Sequence, residues 1–117
     1  MAIAVKRAYV APGEGDGSRL LVDRFWPRGR SKEVLQLEAW LREAAPSPEL
    51  CKWFNHEPEK WAEFKRRYFA ELDRRTEVVL DLLARVKAGP VTLVYGAHDE
   101  RHNNAVALRE YLEDLRR

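Results

Sequence analysis

At 117 residues, 45% hydrophobic and 10% aromatic, the chain suits one domain with its own core and is too apolar for a disordered tail. Charged residues make up 34%, yet 21 basic against 19 acidic side chains leave a formal net charge of +2, so no strong overall field draws it to nucleic acid or a membrane. The lone Cys51 excludes an intrachain disulfide and a cysteine-based metal cluster; with no signal-peptide pattern and no stretch near the ~18 apolar residues of a membrane span, a reducing cytoplasm is the expected setting.

Residues 3–10 predict a first strand, with Ile3 and Val5 alternating against Ala4 and Lys6 and the β-favouring Tyr9-Val10 behind them. Residues 11–18 hold three glycines and a proline and read as a plain connecting loop. Their spacing fits neither the P-loop nor the dinucleotide fingerprint. Residues 19–25 predict a second strand, whose consecutive Leu20, Leu21 and Val22 suit burial on both faces. After the loop Trp26–Arg30, Ser31 is a natural N-cap for a helix from Lys32 to about Glu43, with Leu37, Trp40 and Leu41 as its buried stripe.

Ala45-Pro46 would end that helix, and Ser47-Pro48-Glu49 supplies cap, first-turn proline and dipole-favoured acid for the next. Asn55-His56-Glu57 reads as a turn, and Pro58 opens a longer helix with Trp61, Phe64, Tyr68 and Leu72 on one stripe. A bend is expected near 73–76, then helix to Gly89-Pro90, then a strand over Val91–Tyr95. The last helix should run from about Arg101 to Leu115, with Ala105, Leu108, Leu112 and Leu115 inward. Strands separated by helices argue for a small Rossmann-like three-layer α/β domain over 1–117, with a three- or four-stranded, mostly parallel sheet.

Ligands of open α/β sheets bind beyond the carboxyl ends of the strands. Strand two ends in Asp23, Arg24, Arg28, Arg30 and Lys32; the last strand ends near His98, Asp99, His102 and Asn103. Parallel neighbours would bring these clusters to one crevice. Arginine forks suit phosphate or carboxylate, which points to a small anion held by Arg24 and Arg28. Asp23, directly after Leu-Leu-Val, must pair with a cation, cap a loop, or act as a base or orienting group. His98 and His102 lack a third ligand at a diagnostic spacing, so no metal is expected. Asp99 fits an N-cap, and Tyr95 at the strand end can hydrogen-bond toward the same space. His56 reads as turn chemistry, and Cys51 as a small buried hydrophobe. The basic runs Lys65-Arg66-Arg67 and Arg74-Arg75 alternate with acids and read as a solvated helix face.

Five blocks in order carry a family resemblance. They are Asp16-Gly17-x-Arg19-x-Leu21-Val22-Asp23-Arg24-x-Trp26-Pro27-Arg28-Gly29, Ala45-Pro46-Ser47-x-Glu49-Leu50, Trp53-Phe54-x-His56, Trp61-x-x-Phe64-x-x-x-Tyr68 and Val91-Thr92-Leu93-x-Tyr95-x-x-x-Asp99-x-x-x-Asn103. The chain resembles the YeaO-like proteins (domain of unknown function 488), a bacterial and archaeal family without an assigned function. Asp23, Arg24 and Pro27 match the broader family's Asp-Val-Arg-x-x-Pro element. Where longer relatives carry Cys-Ala-Glu and Cys-His-Arg, this chain has Tyr95-Gly96-Ala97 and Arg101-His102-Asn103, which keeps the histidine and lacks both cysteines.

The sequence reading is therefore a protein that binds a small anionic or phosphorylated ligand, with hydrolysis or group transfer as an open extension. Asp23, His102 and Tyr95 are the candidates for chemistry, and Arg24, Arg28, Asp99 and Asn103 for binding. No cofactor or metal is expected. The alternatives are a nucleic-acid-associated module using the helical basic face, and an oligomerisation scaffold using the tryptophans.

Overall fold

Every residue of Val91-Thr92-Leu93-Val94-Tyr95 is buried. A strand apolar on both faces belongs in the middle of a parallel sheet. The computed structural model describes residues 3–115 and places it there. β1 (Ile3–Arg7), β2 (Ser18–Leu21), β3 (Ala39–Trp40) and β4 (Val91–Tyr95) form one sheet in the order β1-β4-β2-β3, with every pairing parallel. Five helices complete the α/β domain: α1 (Lys32–Leu35), α2 (Pro48–Phe54), α3 (Trp61–Asp73), α4 (Thr76–Ala88) and α5 (Asn104–Leu115). None of them is long and apolar enough to cross a membrane.

The two faces of the sheet are covered unequally. Leu20, Val22, Leu93 and Tyr95 join the main core with Phe64, Tyr68 and Leu72 of α3, Leu82 and Val86 of α4, and Leu108 and Leu112 of α5. The intervening Leu21 and Val94 point the other way, as strand periodicity requires, and meet Ala8 and Leu35 under Trp26, Leu37 and Trp40. The third layer is thus one short helix and two tryptophans, whose rings meet edge-on at 5.3 Å.

Local signals hold where tertiary pairing agrees with them. Ser47 Oγ accepts from Leu50 N at 3.2 Å, with Pro48 in the first turn of α2. Asn55 closes that helix in the left-handed conformation, and the bend between Asp73 and Thr76 separates α3 from α4. The helix expected over 32–43 is corrected. Ser31 does cap it, but it ends after one turn at Gln36, with φ 49°. Residues 39–40 instead pair with β2, through Glu38 N to Arg19 O (2.8 Å) and Leu41 N to Leu21 O (2.8 Å). Trp40 then faces the thin layer, where Leu37 joins it, while Ala39 and Leu41 face the main core, as strand alternation requires of residues 39–41.

Two strands are shorter than expected. β1 stops at Arg7, where Val10 N bonds back to Arg7 O. β2 stops at Leu21, followed by one more ladder bond from Val22 N to Val94 O and a bend at Asp23. Leu115 is 49% exposed and does not belong to the inner face of α5.

The glycine-rich segment is neither a phosphate cradle nor a plain connector. It wraps Asp16, whose carboxylate takes Lys6 Nζ at 2.7 Å, Arg19 Nη1 at 2.6 Å and Gly13 N at 3.1 Å. Arg19 is buried and its Nε donates to Leu35 O at 2.8 Å, so this ion pair fills the thin layer beside α1. Gly17 has φ +64°, and a Cβ there would stand 2.2 Å from the Pro90 carbonyl oxygen. Burial alone would raise the Asp16 pKa, but Lys6, the Gly13 N–H and Arg19 together lower it from 3.8 to about 2. Asp16 therefore contributes stability that is fully present above pH 3.8 and lost as pH falls toward 2. Asp16→Asn should cost on the order of 1–2 kcal/mol at pH 7 and remove that acid limb from urea-denaturation stability measured against pH. Gly17→Ala, which forces Pro90 aside at positive φ, should cost at least about 2 kcal/mol in the same assay.

Candidate functional site

Because β2 and β4 are parallel neighbours, the chain leaves both at the same edge. Asp23 follows β2 by two residues and Gly96 follows β4 directly. Asp23 Oδ2 accepts the Gly96 N–H at 2.8 Å. A Cβ on Gly96 would lie 3.2 Å from that oxygen, so the close approach favours glycine. Asp23 Oδ1 accepts from Asn104 Nδ2 at 3.1 Å, and the same amide donates to Val22 O at 2.9 Å. One carboxylate thus ties the end of β2 to the exit of β4 and the start of α5. Burial raises the Asp23 pKa, partly offset by the Asn104 and Gly96 donors.

The segment between β4 and α5 is held by its own side chains. Asp99 Oδ1 accepts from Arg101 N (2.9 Å) and His102 N (3.0 Å), and its Oδ2 lies 2.9 Å from His102 Nδ1. The Arg101 N–H, and His102 after it, hold the Asp99 pKa below the ordinary carboxylate value. Asp99 organises this turn and does not cap α5. The cap is Asn103, whose Oδ1 accepts from Val106 N at 2.9 Å while its Nδ2 donates to Asp99 O at 2.9 Å. α5 therefore starts at Asn104, three residues later than expected. The His102 ring stands edge-on to Trp61 at 5.4 Å.

These strand-end residues form one wall of a cavity of about 770 Å³. Asp23, Arg24, Gly96, Ala97, His98, Asp99, His102, Asn103 and Asn104 line it, together with Phe25, Ala45, Pro46, Pro48, Cys51, Phe54, His56 and Phe64. The volume falls in the range of small-molecule sites, and so does a mostly apolar lining with a few polar groups. Arg24 Nη2 reaches Pro46 O at 3.4 Å, while its Nε is buried without a hydrogen-bond partner among the described residues.

Of the residues singled out in the sequence, Asp23, Arg24, Asp99, His102 and Asn103 meet at this cavity. Arg28 and Tyr95 are not among its lining residues. Arg28 is exposed on a turn, where its carbonyl accepts from Tyr9 Oη at 2.9 Å. Tyr95 is buried in the main core, and burial, then the nearby Glu100 charge, raises its pKa. Cys51 is an exposed residue on the cavity wall, not a core hydrophobe. Its thiol pKa is raised by desolvation, which disfavours the nucleophilic thiolate. His56, in the expected turn, has φ 56° and also lines the cavity. Asn104, Phe25 and the 45–54 wall had no chemical signal; only the Asn-Asn pair before an amphipathic helix hinted at the first.

Other candidates are accounted for differently. Arg66 and Arg67 both bind Glu63, and Lys65 binds Glu110, so the helical basic run is largely neutralised. Among the described residues, no group of three His, Cys, Asp or Glu side chains is arranged to hold a metal ion.

Residues 2–117 match a family model described as the inactive DUF488-N3 subclade. The chain is 40% identical over 98% of its length to the uncharacterized protein YeaO of Escherichia coli, covering all of that protein. It is 43% identical over 70 residues to the uncharacterized proteins Rv3073c of Mycobacterium tuberculosis and Mb3100c of Mycobacterium bovis, in each case over 60% of this chain and 59% of theirs. No solved structure matches.

Asp23→Ala leaves the Gly96 N–H and one Asn104 N–H without their acceptor and should cost about 1–3 kcal/mol at pH 7 by urea denaturation. The folded state holds the Asp23 proton more tightly than the unfolded chain does. Wild-type stability should therefore fall as pH rises from 3.8 through that raised value, a component absent in the variant. The gap between the two proteins should widen on acidification through this window.

Proposed function

The chain belongs to the DUF488 family, in its inactive N3 subclade, and from that premise we propose that it is a binding module for a small ligand with an apolar body and an anionic or acceptor group. The observation that carries this reading is the cavity itself, lined mostly by apolar side chains together with Arg24, which meets no carboxylate among the described residues. Phe25, Pro48, Phe54 and Phe64 supply the surface for the body. Arg24 supplies a cation at the polar end, and His98, His102 and Asn103 supply groups that orient the ligand.

Retention without turnover fits the groups better than hydrolysis or group transfer. Both Asp23 oxygens are committed to Gly96 and Asn104, so Asp23 positions the wall instead of taking a proton from a ligand. Tyr95 lies in the main core and Cys51 has a raised pKa, which leaves Asp99–His102 as the acid–imidazole pair on the cavity wall among the described residues. The family model's description as inactive points the same way. The nucleic-acid reading loses support because Lys65, Arg66 and Arg67 are taken up by carboxylates.

The probe is 1-anilinonaphthalene-8-sulfonate, an aromatic body carrying one anionic group. Titration followed by fluorescence and calorimetry should give saturable one-to-one binding to the native protein. Cys51→Trp, which places an indole in the cavity from an exposed position, should abolish it. Arg24→Gln should weaken it by about tenfold, the equivalent of one charge-assisted hydrogen bond. Binding unchanged in Cys51→Trp would put the ligand elsewhere.

A further inference from the structure

Arg19, Arg66, Arg67, Arg75 and Arg85 each meet a carboxylate. Among the described residues Arg7 and Arg30 meet none, although both are half-buried and held in place. Their guanidinium carbons lie 5.0 and 5.3 Å from the centroid of one ring, that of Tyr9. Arg7 Nε donates to Ala97 O at 2.8 Å, and its Nη2 lies 3.4 Å from His98 Nδ1. Arg30 donates from Nε to Ala8 O at 3.3 Å and from Nη2 to Tyr9 O at 3.4 Å.

The backbone beneath them is fixed. Gly29 at φ +77° lets the chain turn so that Arg30 N reaches Pro27 O at 3.3 Å. Trp26 Nε1 holds Arg30 O at 2.5 Å, and Tyr9 Oη holds Arg28 O at 2.9 Å. Two cations have therefore been brought to one aromatic ring, held by backbone carbonyls and with part of their side-chain entropy already spent. Each guanidinium has five N–H donors and commits two of them, so three on each remain for an acceptor.

We infer that Arg7, Arg30 and Tyr9 form a phosphate-binding platform for the ligand whose body enters the neighbouring cavity. His98 joins the two, since it touches Arg7 and lines the cavity. Arg7 is the last residue of β1, and Tyr9, Arg30 and Ala97 follow β1, β2 and β4, so the platform lies on the ligand-binding edge of the sheet. Six remaining donors from two planar forks match a phosphate or diphosphate with several oxygens better than a carboxylate with two. That the phosphate and the cavity-bound body are parts of one ligand rests on the proposed function; the platform itself does not.

The test uses inorganic pyrophosphate, which has no apolar body to enter the cavity. In calorimetry and thermal-shift titrations the wild-type protein should bind it saturably, more weakly as salt is raised. Arg7→Gln and Arg30→Gln should each weaken it at least tenfold. Arg42→Gln, which removes an exposed arginine stacked on Trp40, should leave it unchanged. Arg7→Lys keeps the charge but not the fork and should restore only part of the affinity. In the wild-type protein, which avoids any folding defect of the variants, pyrophosphate should shift the arginine Nε–Hε NMR signals of Arg7 and Arg30. Shifts confined to Arg24 would place the anion inside the cavity and overturn the platform while sparing the cavity reading. The absence of saturable binding, or equal binding by the Arg7→Gln and Arg30→Gln proteins, would also overturn it. Loss of anilinonaphthalene binding in Cys51→Trp together with unchanged pyrophosphate binding would separate the two sites.

Discussion

A carboxylate at the end of a buried strand costs free energy unless donors surround it. Asp23 is placed so that the donors are the elements that must be joined: the Gly96 N–H, from the chain leaving β4, and the Asn104 amide, from the first residue of α5. The same amide also takes Val22 O, directly after β2 and before the chain bends. The cavity wall depends on this junction, because Gly96, Ala97, His98 and Asn103 are carried by the segment it holds. The raised pKa of Asp23 and its structural task have one origin, since burial both penalises the charge and makes its two hydrogen bonds worth keeping.

Much of this was legible in residue order. Five consecutive apolar or β-favouring residues at 91–95 marked a strand, and Ser47-Pro48 marked the start of α2 because the cap and the ring act locally. The parallel neighbour relation of β2 and β4 was the condition on which the shared crevice rested, and it holds. What escaped the sequence is non-local. Leu37, Trp40 and Leu41 satisfy a helical period, and only the Arg19 and Leu21 carbonyls of a distant strand draw residues 38–41 into the sheet instead. The Asp16–Arg19–Lys6 cluster was hidden among glycines, and the main-core burial of Tyr95 could not be read from its place at the strand end.

The charges separate in the same way. A net charge near zero conceals a chain in which eight cations are held against carboxylates. Asp16 balances Arg19 and Lys6 beneath the thin layer, Glu63 balances Arg66 and Arg67 outside, and Arg75 donates to the Glu43 and Ala45 carbonyls as well as to Glu71. The tryptophans are likewise occupied: Trp26 and Trp40 cover the thin layer, Trp61 backs His102, and Trp53 lies between Lys60 and Arg67. The loop after β2 therefore serves two surfaces. Asp23, Arg24 and Phe25 face the cavity, and Arg30 faces Tyr9.

The strand order carries a consequence for how the chain acquires its shape. β1 and β2 are close in sequence and lie parallel, but they do not touch; β4 separates them and arrives some seventy residues after β2 ends. Until Val91–Tyr95 is available, β1 has no partner and β2 has only the two residues of β3. During synthesis the first ninety residues can form helices and local turns but not the sheet. Closing that long loop is an entropic cost met before its contacts are gained, which predisposes the domain to fold late and all at once.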